Sequence, residues 1–447
     1  MSTLLAVPPE VSEPGRTLDD PQPRTLGFFD QTALWGNLGI SLLGPVTAVY
    51  VVAPGMSFAA AFTAVVVGTL IGTAGLALAS VAGARTGKPA MVLLRGLFGA
   101  KLSFLPTVLN VVQVLGWAIF EIVVISQAAS QLLPWHAHWP YILIAGALTT
   151  VMAIRPLGAV RLLRRYALIA VLAAMAYLTI QLFRQPLPSF THGGWNGFWI
   201  GTDLVIAVSV SWIPLAADYS RHSRTSRDAF AGSFVGYGLT QIFCYGLGLL
   251  ALATVASADP SQHGMFGAFI AVPVGWLAFG VLLLRELDES FANVYSTAVS
   301  TQNLRPLWDR RVLAIVIGVV ATAAAFWLDH SSFQAAYQNF LSLIGSIFIP
   351  MFAVFVVRYF VLHDDRSWDT SEAAPSRWVL LVPWLIGFVA YQLVSPGLVT
   401  GWAKVWGHVQ SWLHFTPAAW MSASIISFLV AAIITLALAP LTRRRPA

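Results

Sequence analysis

The sequence predicts an all-α polytopic membrane protein of about 12 transmembrane helices, and three observations carry that prediction. The chain of 447 residues is 57% hydrophobic and 10% charged, with a mean hydropathy of +0.74. Apolar stretches of about 20 residues, long enough to cross a bilayer as helices, recur along almost its whole length. Basic residues gather in alternate loops between those stretches. Lipid-facing backbone must satisfy its own hydrogen bonds, and the strand-like alternation of an outer-membrane barrel is absent, so the spans read as helices.

In order, the spans are Ala33–Pro54, Phe58–Val81, Leu102–Gln131, Tyr141–Ile154, Tyr166–Leu182, Ile200–Tyr219, Phe230–Val255, Val272–Thr301, Val312–Leu328, Gln334–Tyr359, Trp378–Val394 and Ala418–Leu438. With the amino terminus in the cytoplasm, successive cytoplasmic loops hold Arg16 and Arg24; Arg85, Lys88, Arg95 and Lys101; Arg155, Arg161, Arg164 and Arg165; Arg221, Arg224 and Arg227; Arg305, Arg310 and Arg311; Arg358, Arg366 and Arg377; and Arg443, Arg444 and Arg445. Arg184, Arg285 and Lys404 fall elsewhere. This is the positive-inside rule over an even number of spans, with both termini cytoplasmic. The formal charge of +6 is therefore sorted by side of the membrane and does not read as a nucleic-acid surface. The expected partners are a lipid bilayer and a small molecule, with no nucleic acid, and the chain is expected to be a monomer.

Residues 1–27 are polar and Pro-rich, lack the apolar core of a signal peptide and read as a disordered cytoplasmic tail. Two polar breaks divide the rest. Residues 184–199, with Pro186, Pro188, Gly193 and Gly194, separate a first five-helix unit (28–183) from a second (200–360). The loop 361–377 then precedes two extra helices (378–440) and a basic tail (441–447). Five spans before a connector and five after it must have opposite membrane orientations, the layout of an inverted-repeat transporter. The first span of each half is interrupted: Gly36, Gly39, Gly44 and Pro45 in one, Pro214 within Ser209–Asp218 in the other. Such paired breaks either frame a midplane binding site or allow helices to kink and pack closely.

Span eight holds the densest polar cluster, Arg285-Glu286-Leu287-Asp288-Glu289 followed by Asn293, Ser296 and Thr297. Ionisable groups at bilayer depth mark a functional site by default. Arg285, Glu289, Asn293 and Thr297 recur at i, i+4 on one face. Oxygens of Asn293, Ser296 and Thr297 suit a hard monovalent cation, although Ser and Thr hydroxyls also bond back to the preceding turn. Arg285 and Glu289 either neutralise each other or serve gating or coupling. Asp218, followed by Arg221 at the end of span six, reads as a gate or helix-end charge. On span three, Trp117 and Glu121 lie one turn apart, near Gln113 and Gly116. An indole plane stacks on a flat heterocycle, and a carboxylate accepts from an amino-and-ring-NH edge; the alternative for Trp117 is interfacial anchoring.

Other classes find little footing. Cys244 is the single cysteine, His136, His138, His222 and His263 lack metal-ligand spacing, and no Walker-type or hydrolase motif occurs. A channel would need a polar stripe along several helices, whereas polarity here clusters at one level. No enzymatic activity and no cofactor are expected; the coupling ion would be Na⁺ or H⁺.

Gly116-Trp117, Ala217-Asp218-Tyr219 with Arg221, Asn293 with Ser296-Thr297, and Phe340-Leu341-Ser342 with Ile349-Pro350 together resemble the purine/cytosine permeases, or nucleobase–cation symporters, over roughly residues 28–359. The resemblance implies a LeuT-type fold of two inverted five-helix repeats plus two C-terminal helices. It also implies import of a nucleobase, cytosine or a purine, by alternating access across a bacterial cytoplasmic membrane; allantoin, a hydantoin or a pyrimidine vitamin precursor is the alternative cargo. It implies a sodium site of span-one backbone oxygens near Gly39 and Leu42 with Asn293, Ser296 and Thr297. It implies substrate contacts from Trp117, Glu121 and Gln302. The family's second aromatic falls at Ser209 in this chain, so Ser209, Ser211 and Trp212 are the span-six candidates.

Overall fold

The structure, a computed structural model, describes residues 23–154, 156–187, 189–328 and 333–442, with the side chains of 156–168 and 442 outside the description. Residues 1–22 of the expected tail, Arg155, and Arg443, Arg444 and Arg445 lie outside the described residues. The main helices are α1 (Phe28–Leu38), α2 (Leu43–Val51), α3 (Phe58–Thr86), α4 (Ala90–Phe98), α5 (Phe104–Leu132), α6 (Trp139–Ile154), α7 (Pro156–Phe183), α8 (Phe198–Ser211), α9 (Ile213–Ser220), α10 (Ser226–Ala253), α11 (Gln262–Ala271), α12 (Gly275–Gln302), α13 (Arg310–Ala325), α14 (Phe333–Val356), α15 (Leu381–Val394), α16 (Thr400–Trp412) and α17 (Ala423–Ala437).

Helix is found at every predicted span. Among the described residues five helices, counting α8 with α9 as one, are by themselves long and apolar enough to cross a membrane, and α1 with α2 adds a sixth as a broken span bent by 64°. α12 has the length, at 28 residues, but carries Arg285, Glu286, Asp288 and Glu289. Of the other predicted spans, one lies within α7 and the rest appear as the shorter helices α6, α13, α15 and α17, so the all-helical class is observed while the figure of twelve crossings rests on the sequence. Helices α4, α11 and α16 were not expected as separate elements.

Packing sorts the helices into two groups. The broken span α1–α2 packs on α10, α10 on α3, and α3 on α8 and α9; in the second group α5 packs on α12 and α6, and α13 on α5, α6 and α12. Exchanging each span of the first five with its counterpart in the second maps these contacts onto one another, the signature of the LeuT-type five-plus-five fold. Helices α15 and α17 pack on α14. The buried Asp203 of α8 anchors α17 by accepting from Ser422 Oγ, from the Ala423 amide at 2.8 Å and from the Ser424 amide at 3.2 Å.

Small residues set the spacing inside the first group. A Cβ on Gly72 of α3 would lie 2.5 Å from Ser209 Cβ, and one on Gly83 would lie 2.6 Å from Ala217 Cα. The α3–α8/α9 seam therefore depends on absent side chains, as membrane helix interfaces commonly do. The loop 361–377 is packed rather than free: Trp368 Nε1 donates to Leu93 O at 2.8 Å, and the Arg377 amide donates to Phe98 O at 2.8 Å. The segment before α1 is tied to the α9–α10 turn. The Leu26 amide donates to His222 O at 2.9 Å, Gln31 Nε2 to Ser223 Oγ at 2.7 Å, and His222 Nδ1 to Pro23 O at 2.8 Å.

Two expectations follow. Gly72→Val should cost about 1–3 kcal/mol by overpacking and lower the melting temperature in detergent, whereas Gly267→Ala, with nothing within 4 Å, should leave it unchanged. Burial, reinforced by Arg221, pushes His222 from 6.5 down to about 4. The unfolded chain then binds the extra proton, so this contribution is complete above pH 6.5 and is lost as pH falls toward 4. Melting temperatures over that window should fall less steeply for His222→Asn than for the parent chain; parallel curves would exclude His222 as a source of acid lability.

Candidate binding site

The break in the first span is built from its own sequence. Gly39 ends α1, and a Cβ there would lie 2.2 Å from Thr240 Oγ1 and 3.0 Å from Tyr237 O, so α10 approaches too closely for any side chain. Pro45 falls in the first turn of α2, where a missing N–H costs little. The unwound segment between the two half-helices faces α12.

At 100° per residue, Arg285, Glu286, Asp288 and Glu289 cover an arc of about 160° on α12. That arc is buried against the break. Asn37 Nδ2 donates to Asp288 Oδ2 at 2.7 Å; Ser41 Oγ donates to Glu286 Oε1 at 2.7 Å; the Leu42 amide donates to Glu286 Oε2 at 2.8 Å. Arg285 donates to Glu289 Oε2 at 2.8 Å and to the carbonyl of Asn37. Arg285 and Glu289 do pair, but the pair is one limb of a network gripping both ends of the broken span. Glu121 of α5 lies beside it, within electrostatic range of Glu286, Glu289 and Arg285.

A cavity of about 40 Å³ lies next to this network. At about 10–15 Å³ per water it admits a few waters, too little space for a heterocyclic ring. Its walls come from the broken span (Gly39, Ser41, Thr47), from α5 (Trp117, Glu121), from the α8–α9 junction (Ser211, Trp212), from α10 (Tyr237, Gln241, Tyr245), from α12 (Glu289, Asn293) and from α14 (Tyr337). Trp117 stands edge-on to Tyr337 and to Phe340, with ring centroids 5.9 and 5.2 Å away. A Cβ on Gly116 would meet the Phe340 ring at 2.6 Å, so the Gly-Trp pair makes room for the ring that props the indole. Trp212, the residue between α8 and α9, stands edge-on to Trp35 at 6.1 Å. Among the described residues Trp117 Nε1 is buried with no protein hydrogen-bond partner, an arrangement that normally costs about 1–3 kcal/mol, while the carboxyl of Glu121 meets that of Glu286. Trp117 and Glu121 both line the cavity.

The structure thus brings together Trp117, Glu121, Ser211, Trp212, Gly39, Glu289 and Asn293 around one space. It does not bring Ser209, whose Oγ donates to Gln241 Oε1 at 2.7 Å on the α3–α10 side. Nor does it bring Gln302, whose Nε2 donates to Trp308 O at 2.8 Å; Gln302 lies thirteen residues past Glu289, roughly 20 Å along the helix. Leu42 borders the break but its amide is taken by Glu286. Ser296 Oγ lies 3.1 Å from Tyr219 OH, and Thr297 Oγ1 donates to Asn293 O at 2.8 Å. That back-bond uses the hydroxyl proton and leaves the oxygen lone pairs. Asp218 is buried away from the cavity and accepts from the Ala90 amide at 2.9 Å, holding the start of α4 against α9.

Sequence reasoning passed over several residues here. Tyr237, Gln241 and Tyr245 recur at i, i+4, i+8 on span seven, a polar face that its period reveals. Gln113 donates to the Ser211 carbonyl at 2.8 Å, satisfying the end of α8. Glu286 and Asp288 stood in the quoted span-eight cluster, but without the fold nothing singled them out from Arg285 and Glu289.

Residues 20–370 match the family model described as permease for cytosine/purines, uracil, thiamine, allantoin. The putative purine-cytosine permease YxlA of Bacillus subtilis is 25% identical over 356 residues, covering 75% of this chain and 76% of the relative. The vitamin B6 transporter TPN1 of Saccharomyces cerevisiae is 26% identical over 383 residues, covering 76% of this chain and 62% of the yeast protein. Among solved structures, Mhp1, a nucleobase-cation-symport-1 family transporter in a closed conformation with bromovinylhydantoin bound, superposes with a TM-score of 0.70 at 18% identity, covering 94% of this chain and 98% of that one.

The network makes a distinguishing prediction. Arg285→Met should cost about 3–5 kcal/mol by stranding buried carboxylates. If Arg285 and Glu289 were a closed pair, Arg285→Met with Glu289→Met would recover most of that loss. Because Arg285 also holds the Asn37 carbonyl, the double variant should stay well below the parent in thermal melts; full recovery would mean that the pair is isolated.

Proposed function

This chain belongs to the family of permeases for cytosine/purines, uracil, thiamine and allantoin, and we propose that it is a secondary active symporter that imports a nucleobase or closely related flat heterocycle, coupled to Na⁺ or H⁺, by alternating access. The matching family and relatives are permeases, so the chain is a transporter and not an enzyme. One observation carries the substrate reading. Two indoles, Trp117 and Trp212, and the carboxyl of Glu121 line one buried cavity, with the Trp117 N–H lacking a protein partner among the described residues. Aromatic faces bind flat rings, and the indole N–H with the Glu121 carboxyl suits the polar edge of a cytosine or a purine.

A second reading has its own support. TPN1 is a vitamin B6 transporter and Mhp1 holds bromovinylhydantoin, so allantoin, a hydantoin or a pyrimidine vitamin precursor fits the same walls. Gln302, remote from the cavity, has no place in either reading, and Trp212 takes the aromatic role that Ser209 does not fill. For the coupling ion, four carboxyl groups (Glu121, Glu286, Asp288, Glu289) gather around one guanidinium, Arg285, among the described residues of the network. Buried acidic groups in excess of bases call for compensation, which a cation or protons on the carboxyls would supply. The Na⁺ site we propose comprises backbone oxygens of Gly39 and Leu42 with Asn293, Ser296 and Thr297, and the carboxyl cluster supplies a route for H⁺. The protein would act as a monomer in a bacterial cytoplasmic membrane with both termini inside.

Uptake into proteoliposomes tests this. Radiolabelled cytosine, adenine or guanine should accumulate under an inward Na⁺ gradient, and Trp117→Ala should weaken binding by about 1–3 kcal/mol, about 5- to 150-fold, as loss of ring stacking does. Accumulation of none of the three would reject the nucleobase assignment. Uptake that follows pH and ignores Na⁺ would reject the Na⁺ site while leaving the carboxyl cluster as the coupling element.

A further inference from the structure

The amino-terminal end of a half-helix at a membrane break is where transporters of this architecture can hold an anionic substrate group, because free amides and the helix dipole point there. In this chain that position has no amide to offer. The Leu42 amide donates to Glu286 Oε2, the Leu43 amide donates to Ser41 Oγ at 3.0 Å, and the Gly44 amide donates to Ser41 O at 3.1 Å. The next residue, Pro45, has no N–H. Ser41 Oγ itself donates to Glu286 Oε1 at 2.7 Å, and both Ser41 and Gly44 border the cavity.

The geometry points to Glu286 as a built-in occupant of this anion position, a side-chain carboxylate from α12 standing where a ligand carboxylate would otherwise bind, and so to a specificity device that excludes carboxylate-bearing rings. The inference rests on the proposed heterocycle transport for its substrate but not for its structural half. Two effects act together. The amides are already saturated, so a substrate carboxylate gains no hydrogen bonds at the break. It would also be desolvated beside the Glu286 carboxylate that already fills the position, and like charge at short range is one of the ways a site rejects the wrong partner. Rings that are neutral or cationic meet neither penalty. Glu286 is thus a positioning residue for the break and, through it, a filter on substrate charge.

Chemical rescue tests the structural half without knowing the substrate. Glu286→Ala opens a space the size of a small carboxylate beside the Leu42 amide. Purified in sodium formate, this variant should be recovered in higher yield and melt several degrees higher than in sodium chloride at equal concentration, whereas the parent chain should melt identically in both. Equal yield and equal melting temperature in the two salts, including no recoverable protein in either, would overturn the proposal. The specificity half is read by tryptophan-fluorescence titration of parent and Glu286→Gln with uracil and with its 6-carboxylate, orotate. The parent should favour uracil at least tenfold, and Glu286→Gln should cut that preference at least tenfold; an unchanged ratio would refute the filter. If neither protein binds either ring, the proposed function is at fault, and the formate comparison still decides the role of Glu286.

Discussion

Every other feature of the site depends on one constraint: a buried carboxylate in a membrane protein must find donors, and in this chain it finds them on a broken helix. Glu286 and Asp288 could be solvated cheaply at a surface. At bilayer depth they hold the ends of α1 and α2 instead, through Asn37, Ser41 and the Leu42 amide. The dependence runs in both directions. An intact first span would leave no free amide for Glu286, and an apolar α12 would leave the break without acceptors. The 64° bend between α1 and α2 and the charges on α12 are therefore two halves of one structural element.

The cavity sits where the two packing groups meet. Its walls on α1, α2, α8 and α10 belong to the first group and those on α5 and α12 to the second. A space admitting a few waters has no room for a ring, so the proposed transport of a flat heterocycle requires these walls to move apart. In the proposed cycle the carboxyl network would feel that movement directly, because it bridges the groups at the level of the cavity. A cation or proton arriving there changes the charge balance of the element that holds the break. That is a physical route from ion binding to helix geometry.

The aromatic lining is propped as much as it is placed. Trp117 is held by Phe340 and Tyr337, and Phe340 has room because residue 116 is glycine. Trp212 occupies the single non-helical position between α8 and α9, where its ring turns into the cavity rather than along a helix face. Rigid support of this kind keeps indole planes in position for a ligand without ordering cost at binding.

Composition and hydropathy alone determined the helical membrane class and the positions of the spans, because bilayer thickness and backbone hydrogen bonding admit few alternatives. The local chemistry of Gly39, Gly44 and Pro45 likewise marked the broken span, and the short pairs Gly116-Trp117 and Trp117 with Glu121 marked one wall of the site. What the tertiary structure decided is which polar groups meet. Ser209 and Gln302 entered as substrate candidates only through the family resemblance, yet helix rotation turns Ser209 toward α10, and helix rise carries Gln302 to the far end of α12. Glu286 meets Leu42 across 244 positions of sequence. Pairings over such separations follow from how the two groups of helices pack, and no local periodicity encodes them.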